Sequence, residues 1–203
     1  MEKWNQLANQ KIIEETMAAL KSNGINAHIV ENRETAKKKV LELLPEGVKV
    51  MTMTSMTLEA INLDKEINES GKYTSIRNNL MAMNRETQLQ EMKTLGAVHE
   101  WVIGSVHAVT QDGHLLIASN SGSQLGSYAY GAANVIWVVG TQKIVKNMEE
   151  GIRRIYEHSF PLEDARARKA YGMPSGVSKI LIFNKEIVPG RAAVIFVKEN
   201  LGF

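Results

Sequence analysis

The run Val135-Ile136-Trp137-Val138-Val139 constrains this chain more than any other stretch. Five consecutive apolar residues suit a strand covered on both faces, as in a parallel sheet, rather than the alternating strand of a half-solvated one. Parallel strands need crossover connections, which are usually helical, and the rest of the chain supplies candidates. Leu7, Ile12, Ile13, Met17 and Leu20 have near-helical spacing over residues 5–22, and Asn23-Gly24 is a stop. Residues 27–30 read as a short strand, 35–44 as a helix ended by Pro45-Glu46-Gly47, 48–52 as an apolar strand, and 55–61 as the start of a helix. Residues 73–77 read as a further strand, and 84–95 as a helix with Asn84 as its N-cap. Beyond the middle, 125–131 reads as a helix and 134–140 as the buried strand, and Asn147 caps a helix to about His158. Residues 161–171 read as a short helix whose Glu163 and Asp164 precede Arg166, Arg168 and Lys169, the order that suits the helix dipole. Residues 179–183 and 192–198 close the chain as strands joined across Val188-Pro189-Gly190. The alternation predicts an α/β fold with a three-layer, Rossmann-like, mostly parallel sheet. A single domain over residues 1–203 is expected, with residues 1–24 as an N-terminal helix packed on it.

Composition removes several function classes. Of 203 residues, 44% are hydrophobic and 23% charged, which argues for a folded core rather than disorder. Net charge is only +2, and the densest basic run, Lys37-Lys38-Lys39, sits between Glu34 and Glu42 as a solvated helix face. Nucleic acid is therefore not an expected partner. There is no cysteine, so disulfides, thiol nucleophiles, thiolate zinc sites and cluster ligation by this chain are excluded. No window approaches 18 apolar residues and the N-terminal stretch does not resemble a signal peptide, so no membrane association and a cytoplasmic location are expected. His28, His99, His107, His114 and His158 form no pair at metal-ligand spacing, and no metal site is expected. Dinucleotide, P-loop, zincin and nucleophile-elbow motifs are missing.

The chemistry concentrates in three polar loops at predicted strand ends, where α/β sheets bind ligands. The first is Ser119-Asn120-Ser121-Gly122-Ser123-Gln124, with hydroxyls, amides and a flexible backbone before an expected helix. It reads either as a cradle for a carboxylate or phosphate, or as a plain helix cap. The second is Thr52-Met53-Thr54-Ser55-Met56-Thr57, in which Thr52, Thr54 and Ser55 either face an anion or cap the next helix. The third is Thr141-Gln142-Lys143, where Lys143 either neutralises a bound anion or is an ordinary exposed lysine. The methionines of the 51–56 and 81–83 segments read as packing. Asp112-Gly113 between two strand-like runs predicts a β-hairpin with a two-residue turn, both turn residues at positive φ. That turn pairs Gln111 with His114, Thr110 with Leu115 and His107 with Ala118, which sets His107 beside the mouth of the 119–124 loop. His107 is thus a candidate acid or base, or else a strand histidine bonded to backbone.

The stretch Gly104-Ser105-Val106-His107-Ala108-Val109-Thr110, then Asp112-Gly113, then Ala118-Ser119-Asn120-Ser121-Gly122-Ser123-Gln124-Leu125, resembles the LUD (lactate utilization) domain family. So do Val138-Val139-Gly140-Thr141-Gln142-Lys143-Ile144-Val145, the helix carrying Arg153 and Arg154, and the closing segment with Pro189-Gly190-Arg191. The resemblance implies a fold akin to the ribose-5-phosphate isomerase, glucosamine-6-phosphate deaminase and CoA-transferase superfamily. It implies a lactate utilization protein of the short, cluster-free type, a subunit or accessory protein in oxidation of L-lactate to pyruvate. No cofactor is evident in this chain, and iron–sulfur clusters are expected only on partner subunits of an oxidoreductase. The expected ligand is a small carboxylate or phosphate, and a homo-oligomer is compatible with the sequence. Two departures matter: residues 52–57 lack the glycines of the superfamily's phosphate loop, and residues 119–124 hold no glutamate for CoA transfer. The competing implications are a non-catalytic assembly or regulatory module for an iron–sulfur oxidoreductase, and an enzyme like the sugar-phosphate isomerases.

Overall fold

The computed structural model describes residues 2–203, and in it the apolar run lies at the centre of a parallel sheet. The strands are β1 (Asn26–Val30), β2 (Lys49–Thr52), β3 (Thr74–Ser75), β4 (His99–Gly104), β5 (Ala108–Thr110), β6 (Leu115–Ser119), β7 (Ala132–Gly140), β8 (Ile144–Val145), β9 (Lys179–Phe183) and β10 (Ala192–Val197). Six of them run in the order β1-β10-β7-β4-β2-β3, every described pairing parallel. The helices are α1 (Gln10–Ser22), α2 (Arg33–Leu43), α3 (Met56–Ala60), α4 (Leu63–Glu69), α5 (Ile76–Ala82), α6 (Leu89–Ala97), α7 (Met148–Arg154) and α8 (Phe160–Tyr171).

β7 explains why its run must be apolar throughout. Ile136 and Val138 point into a core with Ala36, Val40, Leu58 and Leu63 of the helical layer. Val135, Trp137 and Val139 point the other way, into a core shared with Val109, Leu115, Ile117 and Phe183. That second face is covered by a four-stranded sheet in the order β8-β5-β6-β9, together with Met17 and Leu20 of α1. Trp137 anchors it, with Tyr128 at 5.4 Å and Phe183 at 5.2 Å between ring centroids. The far side of the small sheet carries Ala108, Leu116 and Val145, packed with Ile155 and Trp4.

Local chemistry sets most helix starts. Asn9 accepts the Ile12 N–H at 3.0 Å, so the first helix begins at Gln10, later than its apolar spacing suggests. Asn32 and Thr35 form a capping box, and Asn147 accepts the Glu150 N–H at 3.0 Å to start α7 as expected. Three expectations fail. The strand over 73–77 ends after Ser75, because the Ser75 hydroxyl accepts the Asn78 N–H at 3.1 Å and caps α5, which places Arg77 on a helix. Asn84 accepts the Glu86 N–H at 2.8 Å in a local turn, and the helix starts only at Leu89. The helices expected over 147–158 and 161–171 are one run: a π-helical turn, Ile155–Ser159, joins α7 to α8, and Pro161 follows directly after that turn.

The hairpin forms with a different turn. Val109 pairs with Leu115 and Ala108 with Leu116, one residue out of the expected register. The Thr110 N–H donates to the His114 carbonyl at 2.9 Å across Gln111-Asp112-Gly113, and of the last two only Gly113 has positive φ, +84°. A three-residue turn with glycine in the left-handed region replaces the two-residue one. The last two strands part company: β9 edges the small sheet beside β6, whereas β10 lies between β1 and β7. Between them, buried Arg191 pairs with Glu186 at 2.5 Å and donates to the Ala132 and Tyr128 carbonyls at 2.8 and 2.9 Å. Among the described residues, no helix is long and apolar enough to cross a membrane.

Candidate functional site

The carboxyl ends of β2, β4 and β6 and the start of α8 surround one cavity of about 410 Å³. The three loops singled out in the sequence contribute to it unequally. From the 119–124 loop, Ser119, Asn120, Ser121, Ser123 and Gln124 line the wall. Gly122 stays outside, its N–H donating to the Ser119 hydroxyl at 2.9 Å. Much of this loop is tied internally: the Gln124 side-chain amide donates to the Ala118 carbonyl at 3.1 Å, and the Ser178 hydroxyl donates to Asn120 Oδ1 at 2.9 Å. The helix expected after it is a π-helical turn, Ser127–Gly131, so a helix N-terminus does not frame the loop.

From the second loop, Thr54, Ser55 and Thr57 reach the cavity, and Thr52 does not. Thr52 is buried, and its hydroxyl accepts from the Asn68 amide at 2.9 Å behind the strand. Ser55 does both things the sequence left open, lining the wall and capping α3 through the Leu58 N–H at 3.4 Å. In the third loop, Thr141 and Gln142 are buried away from the cavity. Gln142 donates to the Leu201 carbonyl at 3.0 Å and fastens the C-terminal segment.

Lys143 is neither exposed nor a rim residue. Its side chain is only 1% accessible, and Nζ donates to Thr57 Oγ1 and Ser105 Oγ, each at 3.1 Å. Nζ forms no ion pair with any described carboxylate. Burial, reinforced by the nearby Arg154 charge, holds the Lys143 amine well below the usual lysine range. Arg154, wholly buried, donates through Nη1 to the His107 carbonyl and, at 3.1 Å, to Ser159 Oγ, while Nε and Nη2 have no described partner. Burial draws its pKa down to about 10, so it stays charged at neutral pH.

His107 lines the cavity and its Nδ1 accepts the Ala118 N–H at 3.1 Å. That bond leaves the proton on Nε2. Burial, then Lys143 and Arg154, push its pKa down to about 3, so at neutral pH the ring is an uncharged N–H donor. His158 is buried nearby with neither nitrogen bonded to a described residue, and burial and Arg154 lower it to about 4. The wall also holds Arg77, which donates to the Thr52 carbonyl at 2.9 Å and to Thr54 Oγ1 at 2.7 Å. Glu163 is the one acidic side chain lining the cavity among the described residues, and Arg166 engages both its oxygens, at 2.7 and 2.8 Å. Among the described residues, no group of three His, Asp or Glu side chains is arranged to hold a metal ion.

Sequence reasoning missed Ser105, Arg77 and Arg154 as site residues. Arg77 was hidden by the strand reading of its segment. Arg154 carried a signal, because from the Asn147 cap it falls three residues after Gly151 on the inward face of α7, where an arginine is out of place. Ser105 lay in the stretch that resembles the family, but the strand before it, β4, was not read in the sequence.

No curated protein matches the chain. Among solved structures, a DUF162 family protein from Deinococcus radiodurans superposes with a TM-score of 0.57 at 13% identity, covering 95% of this chain and 99% of that one. Ribose 5-phosphate isomerase from Plasmodium falciparum gives 0.37 at 13% identity, covering 78% and 79%, and eIF2B beta from Chaetomium thermophilum 0.38 at 16%, covering 58% and 44%. The LUD domain model matches residues 13–197, from α1 to the last residue of β10, and the chain belongs to the LUD domain family.

Proposed function

We propose that this chain is a lactate utilization protein that binds a small carboxylate, such as lactate or pyruvate, in the cavity at the strand ends. It serves oxidation of L-lactate to pyruvate beside an oxidoreductase whose iron–sulfur clusters lie on other subunits, since this chain has no cysteine to ligate one. The observation that carries the reading is the convergence of Lys143, Arg77 and the hydroxyls of Thr57, Ser105 and Ser119 on one cavity whose only described acidic side chain is already engaged by Arg166. A buried amine facing neutral hydroxyls gains from an incoming anion, which compensates the charge that burial otherwise suppresses. Hydroxyl donors orient the carboxylate without adding charge.

The test is calorimetric titration of the purified chain with lactate, pyruvate and inorganic phosphate. A carboxylate is expected to bind, and Lys143→Met to weaken it by about tenfold or more, the worth of a charged hydrogen bond. If neither carboxylate binds at millimolar concentration, the reading falls. Tighter binding of phosphate than of either carboxylate overturns the choice of ligand.

A further inference from the structure

Lys143 has a placement that charge neutralisation alone does not require. An amine meant as a fixed counter-ion is expected at a rim, hydrated, or buried against a carboxylate. Lys143 is instead inside the protein, bordered by two hydroxyls, and still forms part of the cavity wall. Its backbone is fixed too: it ends the short turn Thr141–Lys143 directly after β7, and the neighbouring Gln142 is bonded to the Leu201 carbonyl.

We propose that Lys143 is an amine nucleophile that forms an imine with the carbonyl carbon of a 2-oxo acid held in this cavity. The proposal rests on the reading of the cavity as a carboxylate site. A lysine attacks only when unprotonated, and the two devices that keep it so are burial and a neighbouring cation. Both are present here, the cation being Arg154. The Nζ lone pair bonds to the carbonyl carbon, and the carbonyl π electrons move to oxygen, which takes up a proton. The carbinolamine then loses that oxygen as water, with the two amine hydrogens accounting for the water formed, and leaves a C=N bond to Nζ. No oxidant or reductant is consumed. His107, with Nδ1 occupied by the Ala118 N–H, offers its Nε2–H to the developing oxygen, and Ser105 and Thr57 are placed to pass protons at Nζ. Arg77, in the same wall without a described carboxylate partner, favours a carbonyl compound that also carries a carboxylate.

The experiment incubates the full chain with pyruvate, reduces with borohydride, and maps adducts by peptide mass spectrometry. The expected product is a secondary amine at Lys143. A lowered pKa raises the neutral fraction of an amine at pH 7, so Lys143 should be the main modified site, ahead of every exposed lysine. Lys143→Met, which removes the amine without burying a permanent charge beside Arg154, should abolish the adduct and keep a thermal melt at or above that of the wild type. If that variant does not fold, the wild-type map alone decides. Labelling spread over the exposed lysines with none at Lys143 overturns the proposal. Lactate has no carbonyl and separates the two readings: calorimetric binding of lactate with no trapped pyruvate leaves the carboxylate site standing and removes the imine. Loss of both removes both.

Discussion

Lys143 Nζ and Ser105 Oγ, separated by 38 residues in the chain, lie 3.1 Å apart inside the protein. The contact joins the segment after β7 to the segment after β4, neighbours in the parallel sheet. It turns two unremarkable positions into one polar site, and it makes the site costly, because a lysine there is held against its tendency to be charged.

That cost predicts the effect of removing it. Lys143→Met should stabilise the protein by about 1–3 kcal/mol, as replacement of buried charge by apolar volume often does, while weakening carboxylate binding by about tenfold or more. Urea unfolding and calorimetry on the same preparation measure both. A lower midpoint in the variant would mean that the bonds to Thr57 and Ser105 are structural.

Ligand binding should take up protons. The Lys143 amine sits well below the usual lysine range, and bound lactate, which has no carbonyl for the amine to attack, moves it back up. Binding near pH 8 should therefore absorb up to about one proton and weaken as pH rises. Titrations in buffers of different ionisation enthalpy read the uptake directly. A buffer-independent enthalpy would contradict it.

Acid should destabilise the fold through His107. Its pKa falls from 6.5 in the unfolded chain to about 3 in the folded one. The unfolded state then binds more protons between those values, so stability is full above pH 6.5 and is lost as pH falls, by about 1.4 kcal/mol per unit. His158, lowered to about 4, acts in the same direction. In His107→Asn, whose amide oxygen can still accept the Ala118 N–H, the slope between pH 6 and 4.5 should be shallower. Equal slopes in the two proteins would exclude His107 as a source.

Tyr128 and Gly104 should be coupled. The Tyr128 hydroxyl is buried without a hydrogen-bond partner among the described residues, and a Cβ on Gly104 would collide with it. Tyr128→Phe should be neutral or mildly stabilising, because the hydroxyl forgoes solvent for no bond. Gly104→Ala should cost about 1–3 kcal/mol by overpacking, and much of that should be regained in the double variant. Additive losses in chemical denaturation would show that the backbone, not the hydroxyl, sets the glycine requirement.

The sequence alone determined what depends on near neighbours. The unbroken apolar run required a strand covered on both faces, and β7 has cores on each side. Asn147 marked the start of α7, and Gly113 marked a hairpin, because caps and turns need only a few adjacent residues. The hairpin register slipped by one, since Asp-Gly satisfies a two- or a three-residue turn and cross-strand packing chooses between them. Only the tertiary structure decided that β9 and β10 enter different sheets, that Thr52 and Gln142 hold scaffold while Thr54 and Ser55 face the cavity, and that Lys143 is buried. The physical reason is desolvation. A lysine's state depends on what surrounds it from every direction, and here those neighbours are Thr57, Ser105 and Arg154, brought together by strand order rather than by spacing along the chain.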